Sequence, residues 1–312
     1  LSLSTPSYFV QEKEFVLYPN PVKDHIIIDA KTQKNWKSEL RIFDLSGKCI
    51  LQKNIQAYDA HRVNLNLKEG SYIIQLAGDE AIDHGFDGIV VYIDEGGKPP
   101  AFYAGGWHDH DNKIPANPHA LFKIASISKL YDAVAVTKLV NDGRLSLDKT
   151  IADYLPELEG RIENADKITL RLMIQHRSGI PNFTDTPDFW AAPTQTYEEC
   201  LALILDKPAN FEPGKKNEYC NTNYLLINKI IDNELGYDNF KFIQEEILTP
   251  LNLVHTFGSL KDVNMDDVMS GYHVGHPFDL KEDDHGMLAT AEDVGIFLRA
   301  LNDGSLFEPG EQ

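Results

Sequence analysis

The sequence predicts a small antiparallel β-sandwich over residues 1–80 and an α+β domain over residues 81–312. In the first region, short apolar or alternating runs are separated by turn residues, which is typical of antiparallel strands. In the second region, an apolar hairpin precedes several segments with helical start and stop signals. The two patterns favour two domains of different architecture.

The first region contains closely spaced strand signals. Val63, Leu65 and Leu67 alternate with polar residues, and the turn Glu69-Gly70 separates this run from the next. Many short strands with frequent turns are typical of a sandwich. The strands are predicted at about residues 25–29, 40–43, 49–51, 62–68 and 72–76.

The second region opens with a hairpin of two strands, Gly88–Ile93 and Ala101–Ala104. A helix is then predicted from Ser126 to about Asn141, because Asp142-Gly143 is a common helix stop. Thr290 is suited to cap the last helix of the chain. Further helices are predicted at about residues 169–176, 197–206, 222–235, 239–248 and 290–302.

Composition excludes several classes of function. The chain has 29 basic and 48 acidic residues, a net charge of -19, which argues against binding to nucleic acid or to anionic lipid. No apolar run reaches the length of a transmembrane helix.

The three cysteines, Cys49, Cys200 and Cys220, do not form a disulfide framework. No signal peptide is visible, and because the chain starts at Leu1 we expect the natural N-terminus to be missing.

The chemistry centres on Ser126-Ile127-Ser128-Lys129. Residues three apart on a helix share a face, so the Lys129 amine can lie beside the Ser126 hydroxyl. A neighbouring base makes a serine hydroxyl nucleophilic, and the helix N-terminus favours the developing negative charge. A second Ser-x-x-Lys, Ser146 to Lys149, lies in a connector after a helix stop, and we expect no catalytic role for it.

A second candidate element is Tyr219-Cys220-Asn221, which follows a Pro-Gly turn and precedes an apolar helix. A phenol near a lysine ammonium loses its proton more easily and can act as a general base and acid. The Asn221 amide is suited to hold both the lysine and a substrate carbonyl. The alternative for Tyr219 is a buried tyrosine bonded to backbone.

Two other features carry weaker hypotheses. His108 and His110 point the same way on an extended segment, but without a third ligand a solvated turn is favoured over a metal site. His176 is expected to be structural, and Phe183 and Trp190 are expected to line a pocket or the core. No cofactor and no metal are predicted.

These motifs together resemble the serine β-lactamase and penicillin-binding-protein superfamily, in particular class C β-lactamases, D-alanyl-D-alanine carboxypeptidases and related esterases. The resemblance spans about residues 85–312. The segments that carry it are 121–129, 143–148, 154–156, 176–181, 211–224 and 286–293.

The resemblance implies a serine hydrolase that works through an acyl-enzyme. Ser126 would be the nucleophile, with its own N–H forming half of the oxyanion hole, and Lys129 would assist proton transfer. Tyr219 would be the base and then the acid, and Asn221 would position the substrate. The substrate would be a D-Ala-D-Ala-type peptide, a β-lactam or an ester. A catalytically inactive cell-wall-binding or surface module of the same fold is the alternative, so peptidoglycan is a further candidate partner.

The first region has a resemblance of its own, carried by Tyr18–Pro21, Phe43–Lys48 and Gly70–Ile73. These segments resemble the Ig-like sorting domain that the type IX secretion system of Bacteroidetes recognises. The resemblance implies contact with secretion machinery and an exported protein, in the periplasm, at the cell surface or secreted. In that family the module ends the chain, whereas here another domain follows it, so a simple spacer is the alternative.

One family element is not found in its expected place. The superfamily has a Lys- or His-started Gly motif on a sheet strand after the late helix, and His273-Val274-Gly275 precedes that helix. We therefore expect that the α+β domain is truncated before its closing strands. We also expect that the 312-residue chain, as a fragment, is marginally stable and weakly active or inactive.

Overall fold

In the computed structural model, side chains are described for most residues between 87 and 307. Residues 87–94, 99–187, 189, 196–271, 279–282 and 286–307 are described, and six earlier strands are described by their backbone. The chain divides into two compact units, residues 1–120 and 121–312. Trp190 and His273–Gly275 lie outside the described residues.

The six earlier strands form two three-stranded antiparallel sheets with the orders β1-β2-β5 and β4-β3-β6. The pairing of β3 with β4 shifts register between Ile42 and Phe43, as at a β-bulge. The predicted short antiparallel strands are therefore present, while their packing as a sandwich stays a prediction. The strands are β1 Phe15–Tyr18, β2 His25–Ala30, β3 Trp36–Asp44, β4 Cys49–Ala57, β5 His61–Asn64 and β6 Tyr72–Ala77.

A third antiparallel sheet contains β7 (Gly88–Ile93), β8 (Ala101–Asp109) and β9 (Ile114–Pro115) in that order. The predicted hairpin is formed by β7 and β8. The expected solvated turn at residues 108–111 is wrong in part, because His108 lies on β8 and is only 6% exposed. β8 extends further than the apolar run 101–104 suggested, since it also pairs with β9.

The helices of the second unit surround a large apolar core, and a smaller apolar cluster lies beside the strands. Each predicted helix is present, although the one predicted over 197–206 ends at Ala202, and the short helix Ile151–Tyr154 was not predicted. The first helix is preceded by a 3₁₀ turn at Ala125–Ile127, and the helix near residue 240 continues as a π-helical turn, Gln244–Leu248. The helices are α1 Ser128–Asn141, α2 Ile151–Tyr154, α3 Leu170–Ile174, α4 Tyr197–Ala202, α5 Asn221–Leu235, α6 Asn239–Ile243 and α7 Ala291–Asp303.

Helix α1 lies in the core and packs against α7. Tyr131 and Phe297 are fully buried and stacked, with ring centroids 3.7 Å apart and an interplanar angle of 11°. Such an aromatic pair buries a large apolar area and stabilises the contact between the two helices. The helix that directly follows the candidate nucleophile is thereby held in a fixed position.

A small three-stranded antiparallel sheet flanks these helices, in the order β10-β12-β11. Its strands are β10 (Phe122–Lys123), β12 (Leu288–Ala289) and β11 (Thr256–Phe257). As predicted, Thr290 caps α7 by accepting a hydrogen bond from the Asp293 N–H at 3.2 Å. The buried Asp293 carboxylate accepts bonds from the backbone N–H at position 255 and from the Thr256 hydroxyl, and so ties α7 to β11.

None of the described helices has the length and apolar character needed to cross a membrane.

Candidate active site

Ser126 lies in the turn that connects β10 to α1. The preceding residue, Ala125, has φ = 44°, in the left-handed region that costs a residue with a side chain about 1–2 kcal/mol. The Ile124 N–H bonds to the carbonyl of Met287 and holds the approach to this turn on β12. The tight turn leaves Ser126 exposed directly before α1, while its neighbour Ile124 is buried. Strained backbone of this kind is common at functional sites.

Lys129 lies one turn further along, as its spacing predicts. Its Nζ donates a hydrogen bond to Ser126 Oγ at 3.2 Å. The same Nζ lies 5.2 Å from the centroid of the Tyr219 ring and 5.7 Å from that of the Tyr224 ring. Aromatic faces attract a cation, so the two rings help to hold the Lys129 amine beside Ser126.

Tyr219 reaches the same hydroxyl from a segment 93 residues away in sequence. Its OH lies 2.6 Å from Ser126 Oγ, and either oxygen could be the donor of this hydrogen bond. The side chain is 38% exposed, so the alternative of a buried tyrosine bonded to backbone is wrong. Ser126, Lys129 and Tyr219 thus meet within proton-transfer distance, at a surface that a substrate can reach.

His176 holds the Tyr219 segment in place. Its Nδ1 accepts a hydrogen bond from the Cys220 N–H at 3.1 Å, and its ring lies 4.6 Å from the Tyr219 ring. Burial and then the nearby Lys129 charge lower the His176 pKa to about 4, so the imidazole is neutral near pH 7 and can accept this bond. The sequence predicts a structural role for His176 but does not reveal its contact with Tyr219. The motif at 176–181 marks the segment, whereas a single sequence does not show which distant segment packs against it.

The turn after His176 packs closely on the turn before Tyr219. The Gly214 N–H bonds to the Arg177 carbonyl at 2.8 Å, and the Asn210 N–H bonds to the Gly179 carbonyl at 2.8 Å. Gly179 has φ = 80°, and a Cβ there would overlap the Phe211 carbonyl oxygen. Only glycine allows both the positive φ and the close approach to the Phe211 carbonyl. The packing of the two turns therefore depends on a glycine at position 179.

Asn221 is the first residue of α5, two positions after Tyr219. Its amide was expected to hold Lys129 and a substrate carbonyl, but it has a different partner. The amide donates to Thr184 Oγ1 at 3.0 Å, and the Asn221 N–H bonds to Asn182 Oδ1 at 3.0 Å. Among the described residues, no hydrogen bond joins Asn221 to Lys129. Asn182 and Thr184 are therefore neighbours of the site that the sequence analysis did not find, and the substrate-positioning role of Asn221 stays a prediction.

Of two further side chains near the site, one is buried and the other half-buried. Cys220 is buried, its Sγ lies 3.4 Å from the Ile180 carbonyl, and burial raises the pKa of its thiol. Phe183 packs against the core, as expected, and forms an edge contact with Phe189 at 5.2 Å. The Cys220 thiol is thus turned into the protein, away from solvent.

The competing motifs have other environments. The Ser146 N–H and carbonyl both bond to the Tyr154 hydroxyl, and Lys149 Nζ lies 5.6 Å from the Tyr154 ring. This second Ser-x-x-Lys therefore fixes a turn on α2. Within the described residues, no group of three or more potential ligand side chains is arranged to hold a metal ion.

The fold and the site residues define the class of protein. The chain contains the α+β fold of the serine β-lactamase and penicillin-binding-protein superfamily of hydrolases, as the sequence resemblance implied. Residues 51–312 match the family model described as Beta-lactamase, and the chain belongs to that family. Residues 16–84 match the Secretion system C-terminal sorting domain, so the second resemblance is confirmed as well. A boundary near residue 80 stays a prediction.

Two curated relatives each match about half of the chain. Protein flp of Staphylococcus aureus (strain COL) is 29% identical over 178 residues, which are 57% of this chain and 35% of that protein. A putative D-alanyl-D-alanine carboxypeptidase of Escherichia coli (strain K12) is 29% identical over 154 residues, 47% of this chain and 36% of that protein. The match thus spans about a third of the length of these relatives.

Among solved structures, the D-amino acid amidase of Ochrobactrum anthropi SV3, in complex with L-phenylalanine amide, is similar with a TM-score of 0.65 and 28% identity. The similarity covers 75% of this chain and 70% of the amidase. EstCE1, a hydrolase with promiscuous acyltransferase activity, has a TM-score of 0.58 at 20% identity and therefore supports the fold alone.

Proposed function

We propose that this protein is a serine hydrolase that forms an acyl-enzyme on Ser126. The observation that carries the proposal is the position of the Ser126 hydroxyl, 2.6 Å from the Tyr219 hydroxyl and 3.2 Å from Lys129 Nζ. The Ser126 oxygen thus contacts the Tyr219 hydroxyl, which can take its proton when ionised, and the Lys129 amine, which can carry a positive charge. This is the arrangement that activates a serine nucleophile.

In the acylation step, the Tyr219 phenolate takes the Ser126 proton while Oγ forms a bond to the substrate carbonyl carbon. The carbonyl electron pair moves to oxygen, and the Ser126 N–H at the start of the helix donates to that oxyanion. The intermediate then collapses, the bond to the leaving group breaks, and Tyr219 gives the proton to the leaving nitrogen or oxygen. The Lys129 ammonium stabilises the phenolate at the beginning of the step.

Deacylation repeats the same chemistry with water. Tyr219 takes a proton from water as the water oxygen bonds to the acyl carbon. The bond between that carbon and Ser126 Oγ breaks, and Ser126 regains its proton from Tyr219. We propose that Asn221, whose amide donates to Thr184 at the start of α5, orients the substrate.

We propose an amide or peptide next to a D-amino acid as the substrate class, with β-lactams and esters as alternatives that use the same acyl-serine chemistry. Support comes from two relatives, which are described as a D-amino acid amidase and a putative D-alanyl-D-alanine carboxypeptidase. We also propose that the N-terminal sorting domain directs export to the periplasm, the cell surface or the medium, since this match is to a secretion sorting module.

Covalent labelling tests the proposal. The protein is incubated with a fluorophosphonate probe and with a labelled penicillin, and the adduct is located by mass spectrometry. We expect an adduct on Ser126 that Ser126→Ala abolishes and that the matched variant Ser146→Ala retains. Labelling that survives Ser126→Ala would contradict the nucleophile. Absence of labelling by either probe, together with binding to peptidoglycan, would favour the inactive binding module.

A further inference from the structure

A chain of buried polar side chains leads from the turn after α3 to the Tyr219 segment, and the mechanism above does not use its first two members. Ser178 is 1% exposed, and Asn223, in the first turn of α5, is fully buried. The Ser178 hydroxyl donates to Asn223 Oδ1 at 2.6 Å, and Ser178 Oγ accepts the Ile180 N–H at 3.2 Å. Buried polar groups are stable only when they are paired, so the Asn223 oxygen is held on the side of Ser178.

The other end of the Asn223 amide faces His176. Asn223 Nδ2 lies 3.4 Å from His176 Nδ1, the same ring nitrogen that accepts the Cys220 N–H at 3.1 Å. A backbone N–H can only donate, so Nδ1 carries no hydrogen and the neutral ring carries its proton on Nε2. An amide oxygen turned towards Nδ1 would place two acceptors against each other. The bonds at both ends of the Asn223 amide therefore favour the same orientation, with the NH₂ group towards His176.

Three successive residues of the Tyr219 segment contact His176. The Glu218 N–H bonds to the His176 carbonyl at 2.9 Å, and the Cys220 N–H bonds to Nδ1 of the ring. Between them, the Tyr219 ring lies 4.6 Å from the imidazole. His176 therefore fixes the backbone on both sides of Tyr219 and also lies against its side chain. The place of the Tyr219 hydroxyl, 2.6 Å from Ser126 Oγ, depends on how the His176 ring is turned.

Asn221, two residues after Tyr219, has anchors of its own. Its N–H bonds to Asn182 Oδ1 and its amide to Thr184 Oγ1, each at 3.0 Å. These two bonds do not pass through His176. A change in the His176 ring should therefore move Tyr219 more than Asn221.

Resting on the proposed function, we propose that Ser178 and Asn223 are positioning residues that fix the tautomer and the orientation of the His176 ring. The ring in turn holds Tyr219 beside the nucleophile. If Asn223 cannot donate to Nδ1, a hydrogen on that nitrogen becomes favourable, and the backbone N–H that bonds there loses its acceptor. Tyr219 is then held less well. A displacement of about 1 Å can cost roughly a hundredfold in rate, so proton transfer slows.

Two substitutions test the two links. Asn223→Asp keeps the shape of the side chain and the bond from Ser178, but it replaces the NH₂ group that faces Nδ1 with an oxygen. Ser178→Ala removes the hydroxyl that holds Asn223 Oδ1, so the amide can turn over. The matched control is Thr196→Ala, which removes the hydroxyl that caps α4 through its bond with the Glu199 N–H.

For each protein, kcat and KM for a reactive ester and the stability in urea are measured at pH 7.5. We expect kcat to fall about tenfold in Ser178→Ala and about a hundredfold in Asn223→Asp. KM should change by less than about twofold, because acylation and deacylation both use Tyr219 and slow together, while Asn221 keeps its anchors. Thr196→Ala should lose stability and keep the parent kcat. A kcat close to that of the parent in both Ser178→Ala and Asn223→Asp would overturn the proposal.

Nitrogen NMR of the His176 ring reports the tautomer independently of activity. The ring signals are assigned by their loss in His176→Asn. At pH 7.5 we expect the parent to carry hydrogen on Nε2 alone and Asn223→Asp to carry hydrogen on Nδ1. A fall in kcat with the tautomer unchanged in Asn223→Asp would indicate a general structural role and contradict the inference. Hydrogen on Nδ1 in the parent would overturn it even if neither variant folded.

The two proposals fail separately. If Ser126→Ala retains hydrolysis, the proposed function is wrong whatever the tautomer of His176. If Ser126→Ala abolishes hydrolysis while Ser178→Ala and Asn223→Asp keep the parent kcat, only the positioning role is wrong.

Discussion

At the scale of single residues, the candidate site depends on three side chains that bring different properties to one oxygen atom. In the proposed mechanism, Ser126 supplies the nucleophile, Lys129 a positive charge, and Tyr219 a hydroxyl that can gain or lose a proton. Removing one of them while keeping the shape of the site separates proton transfer from packing.

Tyr219→Phe is the first residue-level prediction. Only the hydroxyl is lost, so we expect kcat/KM to fall by about 10²- to 10⁴-fold, as for removal of a general base, with little change in stability. Tyr237→Phe is the matched control, because Tyr237 is also 38% exposed and has Lys241 Nζ 5.1 Å from its ring centroid. Equal activity of the two variants in steady-state hydrolysis would contradict the role of Tyr219.

His176 supports a second residue-level prediction, on stability and pH. Because its pKa is about 4 in the folded protein and 6.5 as a free side chain, the unfolded chain binds more protons between these values. Stability should therefore fall as the pH is lowered from about 6.5 to about 4. His176→Asn keeps an acceptor for the Cys220 N–H and tolerates the φ of 53°, but removes this titration.

The measurement is urea denaturation of the parent and of His176→Asn at pH 7.5 and pH 4.5. We expect the parent to lose more stability than the variant between these two values. Burial raises the pKa of Asp132 to about 7, so the contribution of Asp132 to stability has the opposite pH dependence in part of this range. Because Asp132 is present in both proteins, its contribution cancels in the comparison. An equal loss in both proteins would show that His176 is not the titrating group.

At the scale of elements, the site is assembled by turns rather than by long helices. The turn 176–181 packs on the turn 211–214, and this contact brings the segment 218–221 up to α1. Each turn has residues with positive φ, among them His176, Gly179 and Gly214. The position of Tyr219 is therefore sensitive to small changes in these turns.

Gly179→Ala tests this dependence. The added Cβ meets the Phe211 carbonyl and also strains the backbone, so we expect a loss of about 3 kcal/mol or more in the free energy of unfolding. Gly236→Ala is the control, because Gly236 has φ = 77° and open space around it, and its loss should be about 1–2 kcal/mol. Urea denaturation measures both, and equal losses would show that the contact with Phe211 is unimportant.

At the scale of the whole molecule, the dominant property is charge. The chain carries a net charge of -19, with 48 acidic and 29 basic residues. Such a field repels anions over about one Debye length, roughly 10 Å at 0.1 M salt. A substrate with a free terminal carboxylate should therefore approach less readily than a neutral one.

This leads to a prediction on ionic strength. For a peptide with a free carboxylate, kcat/KM should rise as salt is raised from about 10 mM to about 150 mM, because screening reduces the repulsion. The same peptide with an amidated end serves as the control, and its kcat/KM should change little. A fall in kcat/KM for the carboxylate peptide would instead indicate a local positive site for that group.

The local features of this protein could be predicted because their causes lie close together in sequence. Apolar periodicity and capping residues placed α1, α5 and α7 to within a few residues, and the spacing of Ser126 and Lys129 gave their contact. The expected start of the first helix at Ser126 differs because Ala125 enters a left-handed conformation and a 3₁₀ turn precedes α1.

The sequence by itself determined the two kinds of region, the family resemblance and the pairing of Ser126 with Lys129, because these depend on local periodicity and on motifs. The tertiary structure alone decided the contact of His176 with Cys220, the bond from Asn221 to Thr184 and the burial of Asp132. The first two contacts join residues 44 and 37 positions apart, and the third depends on how α1 packs against α5. Packing of distant segments sets burial and hydrogen-bond partners, and these in turn set the charges at the site.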